Sequence, residues 1–397
     1  MLTKKTVKDI NVSGKSILLR VDYNVPFSPH TSNISDDSRI RASIPTIDYL
    51  LKKDCKIIIC SHMGRPKGKI VDVLKMKPVS DRLSEILGIT VTQAIDCTGH
   101  NVKASAQKLL PRQVMMLENL RFHSGEEENN VQFASELASL AQIYVNDAFG
   151  SAHRAHASTE GVTHFITAVA GLLMAKELDI LGQALEAQER PLVAILGGAK
   201  ISDKIGVLEN LAGKVDKLII GGGMAATFLK AKGLNIGNSL VDKDKVKFAT
   251  DFIKTTNKEG PYLFLPLDAI ISTDYASGTS HKVVDISNIE EGYSIFDIGP
   301  RTTKLYIREL LSAKTVIWNG PMGIFEFEAF SQGTAGIAHT LSSLTKTTTI
   351  IGGGSTAEAV INLGLGNKMT HVSTGGGASL EFLEGKLLPG VAALMNL

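Results

Sequence analysis

Short runs of β-branched and aliphatic residues alternate with helical patterns along the whole chain. They are "SILLRV", "KIIIC", "VMMLEN" and "IYVND" early, then "LVAIL", "KLIIGGG", "YLFLPL", "TVIW", "TTTII" and "THVST". Such runs are too apolar for a sheet wetted on one face, so they predict parallel strands covered by helices on both sides. Between the early and late sets, Leu172 to Gln188 ("LLMAKELDILGQALEAQ") carries apolar residues at helical spacing, with Pro191 soon after. We read this segment as a helix joining two doubly wound, Rossmann-like α/β domains. The expected boundaries are 1–171, the linking helix 172–188, and 189–389, leaving 390–397 as a tail. A length of 397 residues with 44% apolar composition supports two or three full-sized cores.

Ligands of open α/β sheets bind at the carboxyl ends of the strands, so the residues found there carry the functional signal. In the first half these positions hold charge and imidazole: Asp22 and Asn24 in "RVDYN", His62 and Arg65 in "CSHMGRPKG", Arg121 in "LENLRF", and His153, Arg154 and His156 in "NDAFGSAHRAH". Arg39 follows in "DDSRIRAS", near a helix start, and eight of the eleven arginines precede residue 185. Guanidinium groups concentrated in this way point to a small anion. In the second half the strand ends are glycine clusters, "LGGAKISDK", "IIGGGMAAT", "IIGGGSTAE" and "STGGGASLE". Glycine lets backbone N–H groups approach a polyphosphate closely, and Lys200 and Lys204 stand near enough in sequence to add charge. This half reads as a nucleotide site, although the P-loop spacing G-x-x-x-x-G-K-[ST] is absent.

Other classes fit less well. Net charge is only +2 with no long basic run, which disfavours nucleic acid. The start "MLTKKTVKDI" lacks a secretory core and the stretch Phe165 to Ala175 is too short to span a bilayer, so a cytoplasmic protein is expected. Cys55, Cys60 and Cys97 lack C-x-x-C spacing and are read as core thiols. No metal is assigned to "HRAH", since spacing indicates no third ligand. Arg82 and Arg112 read as surface charges, Glu126 to Glu128 as a solvated run without function, and Trp318 as core. A nicotinamide-dependent dehydrogenase shares the fold class, but no G-x-G-x-x-G fingerprint is present.

Taken together, "RVDYNVP", "SHMGRPKG", "LENLRF", "NDAFGSAHRAHAST", "LGGAKISDK", "WNGPMGIFE", "GGGST" and "STGGGASLEFLEGKLLPG" closely resemble the phosphoglycerate kinases, in the family's order from Val21 to about Gly390. The resemblance implies reversible phosphoryl transfer from 1,3-bisphosphoglycerate to ADP, giving 3-phosphoglycerate and ATP. The triose would bind the first domain and the nucleotide the second, in a monomer. It implies a triose site of Asp22, Tyr23, Asn24, Arg39, His62, Met63, Gly64, Arg65, Arg121 and Arg154. Nucleotide contacts would come from Gly197, Gly198, Lys200, Lys204, Gly221, Gly222, Gly223, Asn319, Glu326 at the ribose, Gly352, Gly353, Gly354, Ser355 and Thr356.

A carboxylate acceptor carries no proton at neutral pH, so no general base is needed and catalysis must come from alignment and charge neutralisation. Arg39 and Lys204, with helix-start amides near Gly354 and Gly376, are the candidates. Transfer would follow domain closure that excludes water, with Leu172 to Gln188 and "DIGPRT" as parts of a hinge and the tail from Gly390 returning to the first domain. Tyr23 and Met63, where the family commonly has phenylalanine and leucine, are read as packing changes. Most members carry aspartate where this chain has Ser355, a carboxylate associated with the Mg2+ that travels with ADP or ATP. Serine is also a good helix N-cap. Loss of the carboxylate leaves an alternative open, a nucleotide-binding protein with impaired turnover.

Overall fold

The computed structural model describes residues 4–28, 33–186, 189–276 and 280–397. The chain divides into two compact units, Met1–Asp179 with Leu387–Leu397, and Ile180–Lys386. The division falls inside the helix Leu172–Leu185 rather than at its ends, and the return to the first unit starts at Leu387, before the expected Gly390. Ala187 and Gln188, the last residues of the expected linking helix, lie outside the described residues.

The first unit is built on β1 (Ser16–Arg20), β2 (Lys56–Cys60), β3 (Val91–Gln93), β4 (Val114–Met116), β5 (Ile143–Asn146) and β6 (Thr167–Ala170), in the order β3-β4-β2-β1-β5-β6. All its pairings are parallel. β1 and β2 are buried at every position but the first, as strands covered on both faces must be. Ile17, Leu19, Ile57, Ile59 and Val145 pack with Leu50 and Leu83 from flanking helices. The final residues close this unit: Gly390 N–H donates to Ala152 carbonyl at 2.8 Å, and the buried Lys4 ammonium donates to the carbonyls of Ala392 and Leu394 and to Asn396 Oδ1.

The second unit adds β7 (Leu192–Leu196), β8 (Lys217–Ile220), β9 (Tyr262–Phe264), β10 (Asp268–Ser272), β11 (His281–Asp285), β12 (Ser294–Ile298), β13 (Thr315–Asn319), β14 (Thr348–Gly352) and β15 (His371–Val372). Six of them form a parallel sheet, β15-β14-β13-β7-β8-β9. Trp318 lies wholly in its core, with Nε1 donating to Gly320 carbonyl at 2.8 Å. The strand alternation did not predict the separate antiparallel sheet β11-β10-β12. The "DIGPRT" segment ends β12 and opens the helix Pro300–Leu310. All three cysteines are buried and free, and no helix among the described residues is long and apolar enough to cross a membrane.

Candidate functional site

In the first unit, the segments after β1, β2, β4 and β5 hold the predicted anion-binding residues, Arg39 in the first turn of the helix Ser38–Lys52, and short polar contacts around Gly64 tie these segments together. Asn24 Oδ1 accepts from Gly64 N–H at 2.9 Å, and Arg121 Nη1 donates to Gly64 carbonyl at 2.7 Å. Gly64 has φ +60, the left-handed region that favours glycine, and a Cβ there would press on the Leu74 side chain at 2.8 Å. Asp22 pairs with Arg39 Nη1 at 3.0 Å. Burial would raise the Asp22 carboxyl, but the neighbouring His62, the Arg39 and Arg20 guanidiniums and the Asn24 N–H together reverse this and hold it below its ordinary range.

His62 is buried, and its Nδ1 lies 3.3 Å from Arg20 Nη2. Guanidinium cannot accept, so Nδ1 accepts and the ring carries its proton on Nε2. Burial pushes His62 well below the usual imidazole value, against the opposing pull of Asp22, and Arg20, Arg121 and Arg154 act in the same direction as burial. The result is a neutral donor among cations. Arg65 is exposed and has no polar partner among the described residues, while Arg154 Nε donates to His153 Nε2 at 3.1 Å. The side chains of Tyr23 and Met63 are buried in the core cluster, and Tyr23 hydroxyl meets Ser43 Oγ at 2.6 Å. These two residues therefore support the loop from behind and present no side chain to a ligand.

Behind His62 lies a buried network that the sequence reading missed. Arg20 Nε donates to Ser158 Oγ at 2.8 Å, and Ser158 donates to both Glu126 oxygens, Oγ to Oε1 at 2.6 Å and N–H to Oε2 at 3.0 Å. Glu126 is fully buried, which corrects its reading as part of a solvated run, whereas Glu127 and Glu128 are exposed as that reading has them. Burial raises its pKa against the pull of Arg20 and Ser158. His156 Nδ1 stands 3.8 Å from Glu126 Oε1, and burial with the nearby arginines lowers its pKa to about 4.

In the second unit β7 and β13 are neighbours, and the chain runs outward from them in opposite directions. That is a topological switch point, where a crevice opens at the strand ends. The loops here interlock backbone against backbone: Gly198 N–H donates to Pro321 carbonyl and Gly222 N–H to Met322 carbonyl, each at 3.0 Å. A Cβ on Gly197 would meet Pro321 carbonyl oxygen at 2.2 Å, on Gly221 Met322 Sδ at 2.4 Å, on Gly222 Gly198 N at 2.5 Å, and on Gly223 Ala199 carbonyl oxygen at 2.8 Å. These glycines let the loops touch one another, whereas Gly198, Gly354 and Gly376 face open space.

Lys204 Nζ is hydrogen-bonded to Asn319 Oδ1, and burial lowers its pKa to about 8 against the opposing pull of Asp203 and Glu384. Asn319 Nδ2 is buried without a partner, beside Gly352 and Gly353. A donor left unmade at this depth is costly unless a ligand completes it. Gly353 (φ +84) caps the helix Gly354–Asn362 with no side-chain bond, leaving the first amides for an anion. Ser355 is exposed inside the first turn, so it is not the N-cap that serine chemistry suggested. Thr356 is buried, its Oγ1 accepting from Gly320 N–H at 2.7 Å; Lys200 and Glu326 are exposed. Gly376 caps the short helix Gly377–Leu383.

The first unit thus offers a cationic, imidazole-bearing anion site and the second a glycine-lined switch point with a lysine and free helix-start amides, the arrangement of a two-domain α/β protein that handles phosphorylated ligands. The family model for phosphoglycerate kinase matches residues 7–386. The phosphoglycerate kinase of Rippkaea orientalis is 53% identical with 99% of each chain covered, and that of Microcystis aeruginosa is 51% identical over the same shares. The solved phosphoglycerate kinase of Coxiella burnetii superposes with a TM-score of 0.87 at 39% identity, covering 98% of each chain. This chain belongs to the phosphoglycerate kinase family. The comparisons lend no support to the alternative of a nucleotide-binding protein with impaired turnover.

Proposed function

We propose that this chain catalyses reversible phosphoryl transfer from the acyl phosphate of 1,3-bisphosphoglycerate to ADP, yielding 3-phosphoglycerate and ATP. The observation that carries the reading is the division of chemistry, guanidinium and imidazole in one unit and main-chain cradle with lysine in the other. Arg39, Arg65, Arg121 and Arg154 bind the triose anions, with His62 donating from Nε2 and Asp22 and Asn24 holding Arg39 and the Gly64 turn. Lys204, the Gly354 amides and the unpartnered Asn319 amide take the phosphates of the nucleotide.

The attacking or departing carboxylate has no proton to exchange, so the work is alignment and neutralisation of charge on the transferring group. Arg39 serves from the triose side and Lys204 from the nucleotide side. Mg2+ arrives with the nucleotide as part of the substrate. Ser355 offers it at most a neutral hydroxyl, so the ion is held chiefly by phosphate oxygens and water. The test is a coupled assay with ATP and 3-phosphoglycerate on the parent and Arg39→Ala. Turnover is expected to fall by about a hundredfold or more, the scale of removing one group that neutralises transition-state charge, with ADP affinity unchanged. Equal loss of both would refute the role given to Arg39.

A further inference from the structure

A second set of chemically active side chains, apart from the residues assigned to triose or nucleotide, converges beyond the strands β3 and β4. Asp96 and Cys97 follow β3, His123 follows its partner β4, and one ligand atom from each lies within 4.8 Å of the other two. His123 Nε2 and Asp96 Oδ1 are 2.5 Å apart, and Asp96 Oδ1 also accepts from the Cys97 N–H at 2.7 Å. Cys97 Sγ donates to Glu118 carbonyl at 2.9 Å. The cysteine is buried, whereas the His123 and Asp96 side chains are 34% and 49% exposed. The His123 ring stacks on Phe133 with centroids 5.0 Å apart, which fixes its plane. A thiol floor thus lies beneath two side chains that reach solvent.

We propose that Asp96, Cys97 and His123 form a binding site for a divalent cation of the zinc class. Thiolate sulfur, imidazole nitrogen and carboxylate oxygen are the donors such an ion takes in a tetrahedral shell, with water as the fourth ligand. Mg2+ demands oxygen donors and is excluded by this set. Bond lengths of about 2.0–2.3 Å place the ligand atoms of a tetrahedral ion roughly 3.3–3.7 Å apart, so the His123 and Asp96 atoms must separate by about 1 Å. Their exposure permits that movement. On binding, Cys97 gives its thiol proton to the buffer and exchanges the Glu118 carbonyl for the ion. C-x-x-C spacing does not reveal such a site, because its ligands come from the segments that follow two neighbouring strands.

The test titrates Co2+ into the full chain after chelator treatment, follows the thiolate-to-cobalt charge-transfer absorption, and competes the ion with Zn2+ and then Mg2+. The expected result is one equivalent bound with that absorption, displaced by Zn2+ and unaffected by excess Mg2+. Cys97→Ser abolishes the band and Cys60→Ser retains it; folded His123→Gln and Asp96→Asn bind roughly tenfold more weakly or worse. Absence of the band in the parent, its persistence in Cys97→Ser, or full affinity in folded His123→Gln overturns the proposal. The last arm decides the matter even if Cys97→Ser does not fold.

Discussion

Ser158→Ala should be the most informative single change in the first unit. The hydroxyl accepts from Arg20 Nε at 2.8 Å and donates to Glu126 Oε1 at 2.6 Å, and Arg20, Ser158 and Glu126 are all inaccessible to water. Alanine removes both bonds without offering solvent in return, while the backbone keeps the Ser158 N–H bond to Glu126 and the Ser158 carbonyl's bond from the Tyr144 hydroxyl. Each hydrogen bond to a charged group contributes about 1.5–3 kcal/mol, so the expected loss is about 4 kcal/mol. For a unit of roughly 190 residues, at about 2–4 °C per kcal/mol, the melting temperature falls by about 8–16 °C. Calorimetric melting of parent and variant measures it. Because Arg20 fixes the His62 tautomer, steady-state kinetics should also show a raised KM for 3-phosphoglycerate with ADP affinity intact. A melting shift under about 2 °C, far below that expected range, or an equal loss of ADP affinity, would mean that the network does not hold the site.

Two further outcomes follow from the nucleotide side. Free Lys204 loses its proton near a pKa of about 8 because it is buried, and a bound phosphate favours the charged form, so binding takes up a proton above that pH. ADP affinity should therefore hold below pH 8 and weaken as pH rises through it, by at most about tenfold per unit; a flat profile in Lys204→Arg and a sloping one in the parent, read by calorimetry, check this. Ser355→Asp should tighten the apparent Mg2+ dependence with the triose constant unchanged, and superimposable Mg2+ titrations of the two proteins would sink the idea.

The parallel sheets were legible because strands buried on both faces must be almost continuously apolar, as "KIIIC" and "LVAIL" are. The candidate anion site was legible where its residues follow strand ends, as Asp22, His62 and Arg121 do. What escaped was pairing at long range. Arg20, at the end of β1, looks like any strand-flanking charge until Ser158 and Glu126 are brought to it. Glu126 sits in a run of three acids, and composition alone makes such a run solvated; its burial depends on Ser158, 32 residues away. The small antiparallel sheet was missed because β11 and β12 are partly exposed and weakly apolar. Ser355 is a residue type that caps helices, but the φ of +84 at Gly353 starts the helix two positions too early for it to do so.

The knot of bonds between Lys4 and residues 392–396 sets an order on the making of this protein. A ribosome releases Met1–Asp179 early, yet the seam of this unit is sewn only when residues 387–397 emerge, after the whole second unit has been made. The portion made first is thus completed after the second unit, and a nascent chain stalled short of Leu387 has all the residues of the second unit and an unfinished first one.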